Sequence, residues 1–162
     1  LAVFSSITHL GSNPPLIGFV LRPTTVPRDS YRNIKSSSFF TVNHIHHSTV
    51  ADAHHTSAKY PEDVSEFSKT DFEAEYLDDF EAPFVKSAKV RLACRFLNEY
   101  PIKENNTLLV VSEILAIHIE DGIMESDGWL NLQQAGSVTI NGLDGYAKAE
   151  LIERFPYAKP TR

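Results

Sequence analysis

The sequence predicts a mainly β, α+β fold: a small antiparallel barrel with short helices in its connections. Three observations predict it. Ala88 to Leu97 alternates, with Ala88, Val90, Leu92, Cys94 and Phe96 on one face and Lys89, Arg91 and Arg95 on the other. Period two with basic residues outside reads as a half-exposed antiparallel strand. Thr107 to Ile119 is a long apolar run that suits a central strand. Two shorter runs, Leu16 to Leu21 and Phe39 to Ile45, flank a stretch with room for one small helix. Strands of this kind joined by short helices close into a barrel with α insertions.

The elements follow in order. Leu1-Ala2-Val3-Phe4 reads like the middle of a strand, which suggests a fragment whose N-terminal strand lies outside it. Leu16 to Leu21, after Pro14-Pro15, reads as a buried strand. Asp29 or Ser30 can cap a short helix ending near Ser36. Phe39 to Ile45 is β-branched and aromatic, hence strand. Thr49 to Lys59 looks helical, with Ser48 or Thr49 as cap and Pro61 beyond its end. Glu62 to Glu81 carries nine acidic residues against one lysine, interspersed with Val64, Phe67, Phe72, Tyr76, Leu77 and Phe80. That is too aromatic for a disordered tail and reads as an excursion packed on the barrel. Asn105-Asn106, Asp121-Gly122 and Asp127-Gly128 are turn signals, and Asn141-Gly142 with Asp144-Gly145 marks a tight loop. Ala147 to Phe155 reads as a closing helix, broken by Pro156.

At 162 residues the chain suits one domain, taken as residues 1–162. A net charge of -6 argues against a nucleic-acid binder, which shows a basic excess or stripe. Cys94 is alone, so neither an intrachain disulfide nor a cysteine-based zinc site is available, and a reducing, cytoplasmic compartment is the simplest reading. Asn105-Asn106-Thr107 fits a glycosylation sequon, but nothing else suggests secretion. No apolar run approaches the ~18 residues of a membrane span, and no stretch reads as a signal peptide.

The chemistry concentrates between Ser5 and Asn43. Arg22 stands at a strand end, Thr24-Thr25 follow in the loop, and the helix beginning at Asp29-Ser30 opens close by. A helix N-terminus presents unpaired N–H groups and partial positive charge, which favour a phosphate. Arginine adds an always-charged bidentate fork. With no metal motif, Walker loop, nucleophile elbow or Gly-rich dinucleotide fingerprint, the pattern points to a phosphorylated cofactor on a β-rich fold. On spacing alone, Arg22 and Ser30 also read as a surface arginine and a helix cap.

The chain resembles the flavin reductase-like family, the FMN-binding split barrels. The resemblance rests on Leu1 to Ser6, Pro14-Pro15, Arg22-Pro23, Arg28-Asp29-Ser30-Tyr31-Arg32-Asn33-Ile34, Phe40-Thr41-Val42-Asn43, the Tyr60-Pro61 to Glu66-Phe67 segment and Asn141 to Tyr146. It implies an antiparallel split β-barrel and a homodimer with FMN near the subunit interface. It also implies electron transfer from NADH or NADPH through FMN to free flavin, oxygen or a partner. Backbone N–H groups of Ser5, Ser6, Ile7 and Thr8 are implied along the flavin edge. Arg22 and Ser30 are implied at the phosphate, and Asn43 where the second strand nears the flavin. Serine stands at position 30 where threonine is commoner, and it keeps the hydroxyl. Trp129 and Tyr146 are candidates to stack on flavin, though packing is the commoner fate of such residues.

Two alternatives stay open. An FMN-binding electron carrier without nicotinamide turnover would use the acidic 62–81 segment to dock a basic redox partner. A non-flavin metal module would use His44, His46, His47, His54 and His55 with Asp52.

Overall fold

The computed structural model describes residues 1–160. Its strands are β1 (Thr8–Ser12), β2 (Pro15–Leu21), β3 (Phe39–Asn43), β4 (Ala74–Glu75), β5 (Phe84–Val85), β6 (Val90–Ile102), β7 (Thr107–Ile119), β8 (Val138–Asn141) and β9 (Gly145–Lys148). Two short α-helices, α1 (Asp29–Ser37) and α2 (Val50–His55), lie in the connections. The main sheet has the order β1-β2-β7-β6-β3, antiparallel throughout, and β4-β5 and β8-β9 form separate two-stranded pairs. This is the antiparallel split barrel, with the long apolar strand β7 at the centre of its sheet.

Strands β6 and β7 form a hairpin turned by Asn105-Asn106. Asn106 takes a left-handed φ of 59°, and the Asn105 side-chain oxygen accepts from the Thr107 backbone N at 3.1 Å and hydroxyl at 2.7 Å. The period-two pattern expected for β6 does not hold through its middle. Ala93 and Cys94 are both buried although adjacent, at 2% and 0% exposure. The cause is a register shift. Ala93 pairs with Ala116 but Cys94 with Ile114, leaving Leu115 unpaired; Phe96 pairs with Ser112 but Asn98 with Val111, leaving Leu97 unpaired. Bulges of this kind raise local twist and bend the strands.

The core lies where β2, β7 and α1 meet. Phe19, Leu21, Ile34 and Val110 are buried together, with Phe4, Tyr31, Phe40, Phe96 and Leu108 packed against them. Phe19 meets Phe4 and Phe40 edge-on at 4.9 and 5.6 Å between ring centres. A second cluster joins Val90, Ile123 and Ala135.

Three elements depart from the sequence expectations. Leu1-Ala2-Val3-Phe4 is not strand; regular pairing starts at Thr8, and Phe4 instead plugs the core. The helix expected over Thr49 to Lys59 is the single turn and a half of α2, entered through a 3₁₀ turn at His47–Thr49. Thr49 occupies the N-cap position of α2, as expected, but without a side-chain capping bond. His46 caps the 3₁₀ turn by accepting from the Ser48 backbone N–H. The helix expected over Ala147 to Phe155 does not form. Gly145–Lys148 pairs with Val138–Asn141 as a hairpin, and residues 149–160 have no regular structure. Helix propensity differs by well under 1 kcal/mol per ordinary residue, so the cross-strand partner wins.

The acidic excursion packs on the barrel through its aromatics. Phe80 contacts Phe39 and Phe84 at 5.4 and 5.8 Å between ring centres, and β4 pairs with β5. Several of its charges are neutralised within the chain: Glu62 by Arg32, Glu73 by Lys86 and Glu75 by Arg91.

Candidate functional site

The candidate site is a cavity of about 510 Å³. Its floor is β3, through Phe40, Thr41, Val42 and Asn43. Ser30, Asn33 and Ile34 of α1 contribute to its wall, as do Ser5 and Ile7 of the segment entering β1. His44, His46, Val138 and Ile140 also line it, and the acidic excursion lends Phe67 and Phe72. Among the described residues no lysine, arginine, aspartate or glutamate lines it.

The α1 wall is built to leave backbone donors open. Arg28 occupies the cap position in extended geometry, with no side-chain capping bond. Asp29, the first helical residue, turns its carboxylate to Arg32 rather than to the helix end. Ser30 follows and lines the cavity. Nearby, the Arg28 Nε is fully buried without a hydrogen-bond partner. An arginine N–H stripped of water and left unpaired is a donor in want of an acceptor. In the sequence Arg28 is marked only by its place immediately before the first turn of the helix.

The expected site residues divide. Ser5, Ile7, Ser30 and Asn43 share the cavity wall. Ser6 does not. Its hydroxyl accepts from the Val20 N–H at 3.0 Å and lies 3.3 Å from the Val20 carbonyl, tying the entry segment to β2. Thr8 is an exposed residue of β1 paired with Gly18. Arg22 is exposed just past β2 and off the lining. Asn43 is partly engaged. Its amide donates to the Thr41 hydroxyl at 2.9 Å and its carbonyl accepts from the Val85 N–H at 3.0 Å, pinning β5 against β3.

The histidines find separate partners. His44 Nδ1 sits 3.4 Å from the Ser137 hydroxyl, and burial holds its pKa below the usual value. His46 Nδ1 meets the Ser48 hydroxyl at 2.7 Å, and its ring stacks on His47 with centres 4.1 Å apart. Burial lowers the His46 pKa most, followed by the positive charges of His47, Lys89 and Lys148, against a raising influence from Glu120. The close approach depends on Gly136, at φ 66°, where a Cβ would fall 2.4 Å from His46 Nε2. His54 Nδ1 pairs with the Tyr146 hydroxyl at 3.1 Å, and His55 Nε2 with that of Tyr60 at 2.5 Å. Among the described residues no three potential metal ligands converge, so the metal module has no site.

Trp129 and Tyr146 do not line the cavity. Arg154 lies over the Trp129 ring at 4.4 Å, and Tyr146 serves His54. Cys94 is fully buried, and burial pushes its thiol up to about 12, far from a reactive thiolate. Among the described residues no helix is long and apolar enough to cross a membrane.

Comparison with solved structures finds the same architecture elsewhere. A candidate flavin reductase with split barrel domain from Shewanella frigidimarina NCIMB 400 superposes with a TM-score of 0.92 at 39% identity, over 97% of this chain and 78% of the other. Nitrilotriacetate monooxygenase component B from Bacillus cereus gives a TM-score of 0.83 at 24% identity, over 96% and 78% of the two chains. Flavoredoxin of Desulfovibrio vulgaris (Miyazaki F) gives 0.82 at 16%, over 96% and 81%. Among curated sequences, an uncharacterized protein of Aquifex aeolicus (strain VF5) is 25% identical over 151 residues, 92% of this chain and 76% of its own. The family described as "Flavin reductase like domain" matches residues 1–135, which hold the whole main sheet and most of the cavity wall, and the chain belongs to that family.

Proposed function

We propose that this protein is an FMN-dependent oxidoreductase that passes electrons from NADH or NADPH to free flavin, oxygen or a partner. The observation that carries the reading is the aromatic cavity, free of charged side chains, with the uncapped start of α1 in its wall. Its volume of about 510 Å³ falls in the cofactor range of roughly 300–1,000 Å³. The residues fit FMN. The first-turn N–H groups of α1 and the Ser30 hydroxyl take the phosphate, with Arg22 and Arg28 supplying positive charge from either side of the loop. Ser5 and Ile7 border the ring through their backbone, and Phe40 to Asn43 form the surface beneath it. The flavin supplies the redox chemistry when bound, and the protein binds, orients and excludes water. No side chain is assigned as general acid.

Two further readings belong here. A homodimer is favoured because Leu97, Leu115 and Ile117 expose 45, 45 and 50% of their surface along one hairpin. Light scattering at micromolar concentration tests it, and a monomer overturns it. The lone buried thiol favours a cytoplasmic setting. A pure electron carrier is the second functional reading, favoured by the exposed Asp78-Asp79 tip of the excursion. Robust steady-state NADH or NADPH oxidation with added FMN rules the carrier out. The flavin assignment itself is tested by incubation with FMN, gel filtration and an absorption spectrum. A colourless protein peak refutes it.

A further inference from the structure

The His47–Thr49 turn and α2 form one side of the cavity, through Thr49, Ala53 and Thr56. This side is short and thinly held. Thr49 caps α2 without a side-chain bond, so the helix depends on the turn that feeds it. That turn depends on His46. The Ser48 backbone N–H donates to His46 Nδ1 at 3.2 Å, and the Ser48 hydroxyl lies 2.7 Å from the same nitrogen. A backbone N–H can only donate, so Nδ1 of the neutral ring presents a lone pair and the proton sits on Nε2. The ring is wedged against Gly136 and stacked on His47, which holds it in this orientation. Upstream the chain is pinned. The His47 N–H donates to the Gly136 carbonyl at 2.9 Å, and the Val138 N–H to the Ile45 carbonyl at 3.0 Å.

A second proton on this ring goes to Nδ1, the acceptor of the cap. The Ser48 hydroxyl can turn to accept from the new N–H, but the Ser48 amide is then left facing a donor. The surrounding charges do not favour the imidazolium. His47 lies alongside, Lys89 precedes β6 and Lys148 ends β9. The one acid among these neighbours, Glu120 just past β7, is paired with Lys89 at 3.0 Å. Burial adds to this, so the folded ring takes its second proton at a lower pH than the unfolded one. We propose that His46 is an acid-sensitive latch: protonation at Nδ1 releases the Ser48 amide, and the turn and α2 loosen together from a hinge at His47, opening that side of the cavity. The device concerns the wall and not its occupant, so it stands apart from the flavin assignment.

The test is an NMR titration of the intact chain, labelled with nitrogen-15 and free of flavin, from pH 7.5 down past the His46 midpoint. The His46 ring reports its own protonation. Solvent exchange of the backbone amides, corrected for its intrinsic pH dependence, reports the turn and α2. Ser48 protection should fall roughly fivefold, the usual effect of a lost helix cap, at the midpoint of the His46 ring and below pH ~6.5. The α2 amides should follow at the same midpoint while those of β6 and β7 hold. His46→Asn supplies a cap acceptor that does not titrate, and should keep Ser48 protected over the whole range. His46→Phe should leave Ser48 unprotected at every pH, with the strand amides showing that the variant is folded; if it does not fold, the comparison of wild type with His46→Asn decides. A Ser48 amide indifferent to the titrating ring overturns the proposal. So does a His46→Asn variant whose turn still opens at the wild-type midpoint, or a turn that opens while α2 stays protected.

Discussion

Replacing Arg28 with alanine tests the phosphate end of the cavity most directly. Among the described residues Arg28 makes no side-chain hydrogen bond or ion pair, and its Nε is buried without a partner. Removing the side chain therefore takes no polar contact from the unliganded fold. A hydrogen bond to a charged group contributes roughly 1.5–3 kcal/mol. The FMN dissociation constant should rise by roughly tenfold to 150-fold, since each 1.4 kcal/mol is a factor of ten. Arg22 is exposed and screened. Arg22→Ala should cost about 1 kcal/mol or less, near fivefold at most. Riboflavin lacks the phosphate and should bind both variants like the wild type. Fluorescence quenching of each flavin, titrated against each protein, gives the numbers. Equal losses for FMN and riboflavin would make Arg28 structural. A larger effect at Arg22 than at Arg28 would move the phosphate to the other side of the loop.

Other outcomes follow from single contacts. Ser6→Ala should cost about 1–3 kcal/mol in urea unfolding, because it removes the hydroxyl that meets both Val20 backbone groups, yet leave FMN affinity nearly unchanged. Ser112→Ala should be neutral or stabilising by up to about 1 kcal/mol, because the fully buried Ser112 hydroxyl has no partner to lose; a large loss of stability would refute this. His44 and His46 have folded pKa values below the unfolded value of about 6.5, so the unfolded chain takes up protons first as pH falls. Their contribution to stability is full above pH ~6.5 and declines below it until the folded-state values are passed. The melting temperature should fall between pH 7.5 and 5.5, less steeply in His44→Gln, and a flat profile would contradict the assignment.

Much of the fold was legible because it is written in short-range patterns. The apolar stretch of β7 and the turn chemistry of Asn105-Asn106 need no distant partner to be read. The tail was misread for the opposite reason. Ala147-Lys148-Ala149-Glu150 has helical composition, and only the strand Val138–Asn141 across the Gly142 turn makes its first half extended. The site was legible in its outline but not in its atoms. Ser30 and Asn43 both lie on the cavity wall; the order of loop and helix start pointed to Ser30, whereas Asn43 was named only from the resemblance. Ser6 was not distinguishable from its neighbours, since its tie to Val20 spans the β1–β2 hairpin. Arg28 was hidden because burial of one nitrogen is a tertiary fact. The acidic excursion reads as one uniform charge run in the sequence, and only folding brings Arg32, Lys86 and Arg91 to Glu62, Glu73 and Glu75 while leaving the Asp78-Asp79 tip exposed.

The two unpaired leucines of the β6–β7 hairpin have a consequence for how the family's chains can vary. The offset introduced at Leu97 on one strand is returned at Leu115 on the other, so Val90 to Ala93 face Ala116 to Ile119 in the frame set by the turn. Between them only Cys94, Arg95 and Phe96 run out of step, against Ser112 to Ile114. Curvature has been separated from alignment. An insertion and its compensating insertion bend the wall while the rest of the ladder keeps its frame. Losing both leucines would leave every existing partnership available and flatten the wall. Losing one would leave an uncompensated kink. Length changes in this hairpin are therefore expected to be tolerated in pairs, one on each strand, and to act on the curvature of the sheet without altering which residues pair.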